Sequence, residues 1–287
     1  MKKVLVAGAT GYLGQEMVKE LKRRNYWIRV LIRKDSQQAV FDGVEVDEFF
    51  VGQVTQPETI QGVADGMDWV FSSIGITRQK DGLTYMDVDY QGNRNLLAEA
   101  EKANVALFQY VSVYGAEKVP SLKIIQAKVK FVEALKQSKL AHSIVQPTGY
   151  FGDMKEVLTM AQKGTVYLFG TGEYKINPIS GRDLAVVCTD CLEQKRAIIN
   201  VGGPKTYTQN QIAQIAFDAL QINGKVRHIP LWVRDITVFL VRLFTSSKFY
   251  GPIEFFMMAM TIDGNTDEYG QDLLEDYYAE EAQKMKK

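Results

Sequence analysis

Apolar residues follow two rhythms through the first half of the chain: short unbroken runs, and stretches in which they recur every three to four positions. Val4, Leu5, Val6 and Ala7 form the first run. Gly8, Gly11 and Gly14 interrupt it. Beyond them Met17, Val18 and Leu21 share one face, while Gln15, Glu16, Lys19, Glu20, Lys22 and Arg23 share the other. The pattern predicts a strand, a glycine loop and an amphipathic helix. Residues 27–32, 44–51, 69–75, 105–113 and 143–147 read as five further strands, and residues 57–64, 87–102 and 121–137 as helices between them. Strands and helices that alternate this regularly predict an α/β fold, a Rossmann-like doubly wound parallel sheet with helices on both faces and right-handed crossovers.

After Thr148 the regularity fades. Residues 153–163 read as helix and 166–169 as extended chain; Gly170, Thr171 and Gly172 turn the backbone. Ser180 is placed to cap a helix carrying Cys188 and Cys191, residues 198–201 are apolar enough to rejoin the sheet, and Thr208 with Gln211 forms a capping box for a helix that reaches Leu220. The long apolar stretches near 231–244 and 255–260 are broken by Arg234, Asp235 and Arg242 or are too short to span a bilayer, so no transmembrane segment is expected. They read as core of a smaller lobe or a homodimer surface, with the lining of a large pocket as the alternative.

The glycine spacing carries the first chemistry. Gly8 permits a tight turn, Gly11 lets the backbone approach a pyrophosphate, and Gly14 lets the helix pack closely on the strand. Free N–H groups at the helix start attract the anion, and Thr10, Tyr12 and Leu13 lie within that loop. Arg33 and Lys34 follow the second strand, where a basic residue accommodates the 2′-phosphate of NADP and an acidic one would bind the ribose of NAD. Gln53 and Val54 fall beside the adenine. Ser73, Ile74 and Gly75 lie at the carboxyl end of the fourth strand, and Pro147 and Thr148 at that of the sixth, the edge where open α/β sheets bind ligands. The cofactor expected is NADP(H). The chain divides into an NADP-binding Rossmann domain over 1–148 and a smaller substrate or lid lobe over 149–287, with segments near 176–201 returning to the sheet.

Composition narrows the partners. Lys and Arg together number 34, as do Asp and Glu, and no basic stripe interleaved with aromatics is present, which excludes nucleic acid. The N-terminal apolar run stops at Ala7, short of a signal peptide's core, so a cytoplasmic protein is expected. Cys188 and Cys191 make the only C-x-x-C, but they fall late in an amphipathic helix, where small sulfur side chains suit a buried face, and a reactive thiol belongs at a helix start. No metal site is expected, since His142 and His228 are the only other soft ligands.

With Gly8–Gly14, Ser112 and Lys128 in place, the chain resembles an atypical short-chain dehydrogenase/reductase of the NmrA-like kind. Asp89, Tyr90 and Gln91 with Asn95, Leu96 and Leu97, residues 120–131, 143–148 and 178–185, Gly202, Gly203 and Pro204, and residues 269–278 are similar in pattern to the divinyl chlorophyllide 8-vinyl reductases. That resemblance spans nearly the whole chain and implies NADPH-dependent reduction of a vinyl group on a chlorophyll precursor. Gln146 departs from the family's arginine, and the segment near 262–268 is short. In ordinary members a tyrosine one turn before the catalytic lysine transfers the proton; here Ile124 precedes Lys128, and it has no proton to give. Ser112 and Tyr114, on one face if the fifth strand continues, remain as candidates with Lys128. The resemblance thus implies a small apolar or conjugated substrate, with a non-catalytic NADP(H)-binding regulator or assembly factor as the alternative.

Overall fold

A computed structural model describes residues 1–76, 82–245 and 247–285; the parts of the two expected divisions at 77–81, 246 and 286–287 lie outside the described residues. In chain order the elements begin β1 (Lys3–Ala7), α1 (Tyr12–Arg23), β2 (Trp27–Ile32), β3 (Glu48–Val51), β4 (Trp69–Ser72), α2 (Asn93–Lys102), β5 (Leu107–Val111), α3 (Lys123–Lys136) and β6 (His142–Pro147). They continue with α4 (Phe151–Gln162), β7 (Thr165–Phe169), β8 (Lys175–Ile176), α5 (Gly181–Gln194), β9 (Ile198–Val201), β10 (Tyr207–Thr208) and α6 (Gln209–Leu220). Last come β11 (Lys225–Ile229), α7 (Leu231–Phe244), α8 (Ser247–Ala259) and α9 (Leu274–Met285).

Seven strands form one parallel sheet in the order β3-β2-β1-β4-β5-β6-β9. Inside it, β1 lies between β2 and β4, and its Val4, Leu5, Val6 and Ala7 are fully buried because helices cover both faces. Strand alternation splits them. Val4 and Val6 join Met17, Leu21, Leu184 and Cys188 on the α1/α5 side. Leu5 and Ala7 join Leu96, Leu97, Phe131 and Leu135 on the α2/α3 side. Cys188 and Cys191 are free thiols packed in the first layer, and burial pushes Cys191 up to about 11 and Cys188 well above its ordinary value. They fill space there.

Beyond β6 the chain makes a third apolar cluster from α4, α6 and α9, with Val166 and Leu168 of the β7/β11 pair. Within 176–201 only part returns to the large sheet: β9 pairs with β6, whereas β8 pairs with β10 in a separate two-stranded sheet. Ser180 caps α5 by accepting the Asp183 N–H at 2.9 Å, and Asp183 Oδ2 in turn accepts the N–H groups of Gln271 and Asp272 at 2.9 and 2.8 Å. The helix start thereby holds the segment leading into α9.

Three sequence expectations need correction. β3 begins at Glu48 rather than at Val44, and β4 stops at Ser72, so Ser73, Ile74 and Gly75 form a loop past the sheet edge. Residues 231–244 are not lobe core, for no residue of α7 is buried.

A methyl group on Gly14 would lie 2.2 Å from the Gly8 carbonyl oxygen and 2.6 Å from Ala9 Cα, backbone atoms that cannot step aside. Gly14→Ala is expected to lose about 1–3 kcal/mol, the usual cost of overpacking, read as a lower urea midpoint. An unchanged midpoint would show that the helix seat is looser than this packing implies.

Candidate functional site

The strand order reverses between β1 and β4, the switch point at which open α/β sheets leave a crevice. Two loops meet there. Gly8 adopts φ +82°, and a Cβ on it would lie 2.8 Å from Ser73 Oγ. The Gly11 N–H donates to Gly8 O at 3.0 Å to close the turn. α1 then starts with Gly11 as its N-cap, without a side-chain cap and without an acidic residue in its first turn. Its first N–H groups are therefore available to an anion, and the loop suits a pyrophosphate.

The other loop residues sit around that opening. Leu13 is buried, whereas Tyr12 is 43% exposed, stacks edge-on against Tyr150 at 5.8 Å and accepts the Gly181 N–H at 3.1 Å. Thr10 O accepts from Gln15 Nε2 at 3.0 Å. Arg33 and Lys34 are exposed just past β2, where Gln37 Oε1 accepts both their backbone N–H groups, at 2.8 and 3.2 Å, and shapes the turn. Past β3, the Gln53 N–H donates to Thr59 Oγ1 at 2.8 Å, and Val54 O accepts Asn95 Nδ2 at 2.7 Å. Pro147 O accepts the Tyr114 N–H at 3.0 Å, and Thr148 Oγ1 donates to Asn177 O at 2.7 Å.

Lys128 lies beside the loop that follows β4. Its side chain is 14% exposed, and its Nζ lies 3.0 Å from Oδ1 of Asp89, whose side chain is 0% exposed. That contact is an ion pair without the alignment of a hydrogen bond. Nζ also donates to the Tyr110 hydroxyl at 3.5 Å. Burial would strip the charge from Lys128, but Tyr110 and Asp89 outweigh it and hold the ammonium above its ordinary pKa. Burial pushes the Asp89 carboxyl up, opposed mainly by Lys128, and pushes the Tyr110 phenol up to about 12.

A second layer fixes Asp89. Its Oδ2 accepts the Ile76 N–H at 3.1 Å; Asn93 Nδ2 donates to Asp89 O at 2.9 Å and to Ile74 O at 3.2 Å, and Ser72 Oγ donates to Asn93 Oδ1 at 2.6 Å. Asp89 stands in a π-helical stretch, Met86–Gly92, that runs into α2, a feature often found at functional sites. Gly75 closes over the pair: a Cβ there would lie 2.7 Å from Asp89 Oδ1 and 2.9 Å from Lys128 Nζ.

Ile124, one turn before Lys128, is buried with Tyr85, Leu122 and Ile125, and Phe255 and Met258 of α8 pack against that cluster. The wall beside the lysine is apolar. β5 ends at Val111, but the Ser112 and Tyr114 N–H groups still donate to Val145 O and Pro147 O of β6, at 2.8 and 3.0 Å. Ser112 is buried, and Tyr114 is half-buried with Lys118 Nζ 5.1 Å from its ring centre. Among the described residues no hydrogen bond joins Lys128 to either.

Sequence reasoning assigned no role to Asp89, Asn93, Tyr110 or Tyr150. A signal existed for the first two: they precede Leu96, Leu97 and Ala100 at helical spacing, which puts two polar side chains on an otherwise buried face. Tyr110 and Tyr150 carry no comparable mark, being one of several core aromatics and a loop residue.

Asp89→Asn removes one partner of a buried pair and strands the ammonium of Lys128. The expected loss is about 3–5 kcal/mol, and adding Lys128→Met to it should restore part of that stability. Chemical denaturation of the two singles and the double variant measures the coupling; losses that simply add would contradict it.

A family model described as NAD(P)H-binding matches residues 8–195, from the first glycine of the loop to the end of α5. The chain is 26% identical over 317 residues to the divinyl chlorophyllide a 8-vinyl-reductase, chloroplastic, of Arabidopsis thaliana, covering 96% of this chain and 76% of that protein. It is 25% identical over 234 residues to the photosystem II assembly factor Ycf39 of Trieres chinensis, covering 80% of this chain and 73% of that one. In fold it is similar to the NADPH-dependent quinone oxidoreductase QOR2 of Escherichia coli, solved with NADPH, at a TM-score of 0.74 and 16% identity over the full length of both chains. An open helix N-terminus at the switch point of a parallel sheet, matched from Gly8 through α5, is the construction of that family, and this chain belongs to the NAD(P)H-binding proteins.

Proposed function

We propose that the chain is an NADPH-dependent reductase of an apolar, conjugated substrate, of the kind its divinyl chlorophyllide reductase relatives are named for. One observation carries the reading: Lys128 is held 3.0 Å from Asp89, one turn from Ile124, on whose apolar cluster Phe255 and Met258 pack. The charge suits the cofactor side, and the cluster suits a substrate without polar groups of its own.

The cofactor, when bound, supplies a hydride. What remains for the protein is to orient the partners, exclude water and tolerate the negative charge left on the acceptor. A conjugated acceptor spreads that charge over its own π-framework, so the missing tyrosine at position 124 costs little. A ketone would concentrate it on one oxygen beside an isoleucine. Lys128 holds the nicotinamide ribose in this reading, and Ser112, Tyr114 or water returns the final proton.

A second reading, a non-catalytic NADP(H)-binding assembly factor, is favoured by the exposed apolar face of α7 and by the Ycf39 relatives. NADPH oxidation separates the two. The reductase reading expects turnover with divinyl chlorophyllide or with members of a panel of conjugated alkenes and quinones, and none with simple secondary alcohols and NADP. Tight NADPH binding without turnover of any of them would favour the assembly factor, and robust alcohol oxidation would sink the alkene chemistry.

The 2′-phosphate preference rests on Arg33, with Lys34 in support. A charge-assisted contact is worth about 1.5–3 kcal/mol, so Arg33→Ala should weaken NADP binding about tenfold or more and leave NAD binding unchanged. Calorimetric titration of both cofactors reads this directly. Equal losses for both would show that Arg33 does not read the phosphate.

A further inference from the structure

We propose that α7, entered from β11, is a docking surface for an anionic lipid bilayer. Trp232, Ile236, Phe239, Leu240 and Leu243 fall on one helical face, and all five are exposed: Trp232 to 63%, Phe239 to 64% and Leu243 to 62%. Phe244, 76% exposed, extends the stripe at its end. The inward side carries Arg234, which donates to Thr261 Oγ1 at 2.5 Å, and at its flank Arg242 pairs with Glu254 of α8. A helix on a water-facing surface has the opposite polarity. This one turns its apolar side outward and ties its cations to the protein.

Length and charge select the occupant. No helix among the described residues is long and apolar enough to cross a membrane, so α7 would lie along a bilayer with its tryptophan and phenylalanines at the headgroup boundary. Around α7, Lys225, Arg227, Arg234 and Arg242 outnumber Asp235 and Glu254, although the whole chain balances at 34 against 34. Lys225 and Arg227 are exposed on β11, and Pro230 leads directly from that strand into the helix. Anionic lipid complements this excess. A second copy of the chain would repeat it, since a two-fold contact through α7 brings like charges together.

The proposal does not depend on the reductase reading, because it concerns the outer face of the α7/α8 pair, whereas Phe255 and Met258 of α8 pack on the cluster around Ile124.

The full chain is tested by flotation with vesicles of phosphatidylcholine alone and of phosphatidylcholine mixed with phosphatidylglycerol. Bound protein should rise with the anionic vesicles at least about tenfold more than with the neutral ones, and brominated acyl chains should quench Trp232, with Trp232→Phe as the control. Phe239→Glu/Leu243→Glu alters only exposed side chains; it should abolish flotation at an unchanged melting temperature. Lys225→Glu/Arg227→Glu should remove the preference for anionic lipid. Absence of flotation on both vesicle types, or flotation that survives Phe239→Glu/Leu243→Glu, overturns the proposal. So does a stable dimer in solution that Phe239→Glu/Leu243→Glu dissociates while vesicles fail to bind.

Discussion

Burying an ammonium beside a carboxylate is the constraint around which the crevice is built. Lys128 and Asp89 come from α3 and from the π-helical stretch before α2, and neither is tolerable out of water alone. The loop after β4 supplies an N–H from Ile76 to the free carboxylate oxygen, Asn93 bridges that loop to Asp89, and Tyr110 contributes its hydroxyl from β5. Glycine at position 75 follows from the same pair, since a methyl there would occupy the space of both charged atoms. A requirement of local electrostatics thus sets the path of the chain at the carboxyl ends of β4 and β5.

The pyrophosphate end of the candidate site is backbone. Gly8, Gly11 and the uncapped start of α1 offer N–H groups, and Gly14 lets the helix sit close enough to β1 to aim them at the switch point. Two kinds of polar group thereby meet the loops after β1 and β4: dipolar donors at the start of α1, and the Lys128–Asp89 pair beside Gly75. One turn from Lys128, Ile124 belongs to an apolar cluster on which Phe255 and Met258 of α8 pack.

Sheet, loop and helix order were legible in the sequence because the signals are local: unbroken apolar runs for strands buried on both faces, a three-to-four repeat for the helices, glycine at fixed spacing. Lys128 was legible as well, a lone cation on an apolar helix face. Asp89 was legible only in retrospect, because its partner lies 39 positions away in sequence and nothing local announces the pair. Tertiary packing also decided α7. Its composition reads as core, yet α4, α6 and α9 already enclose the third apolar cluster, and α7 is left outside it. Periodicity shows that a helix has an apolar face; it does not show what covers that face.

The central claim is that the buried centre at Lys128 serves the cofactor and not the fold alone. Thermal unfolding with and without NADPH tests it most directly, since a ligand bound only to the native state raises the melting temperature the more, the further its concentration exceeds its Kd. Lys128→Met should still unfold cooperatively and should lose most of the NADPH-dependent rise seen in the unaltered chain. An equal rise in both proteins would contradict the claim and leave Lys128 as a structural partner of Asp89.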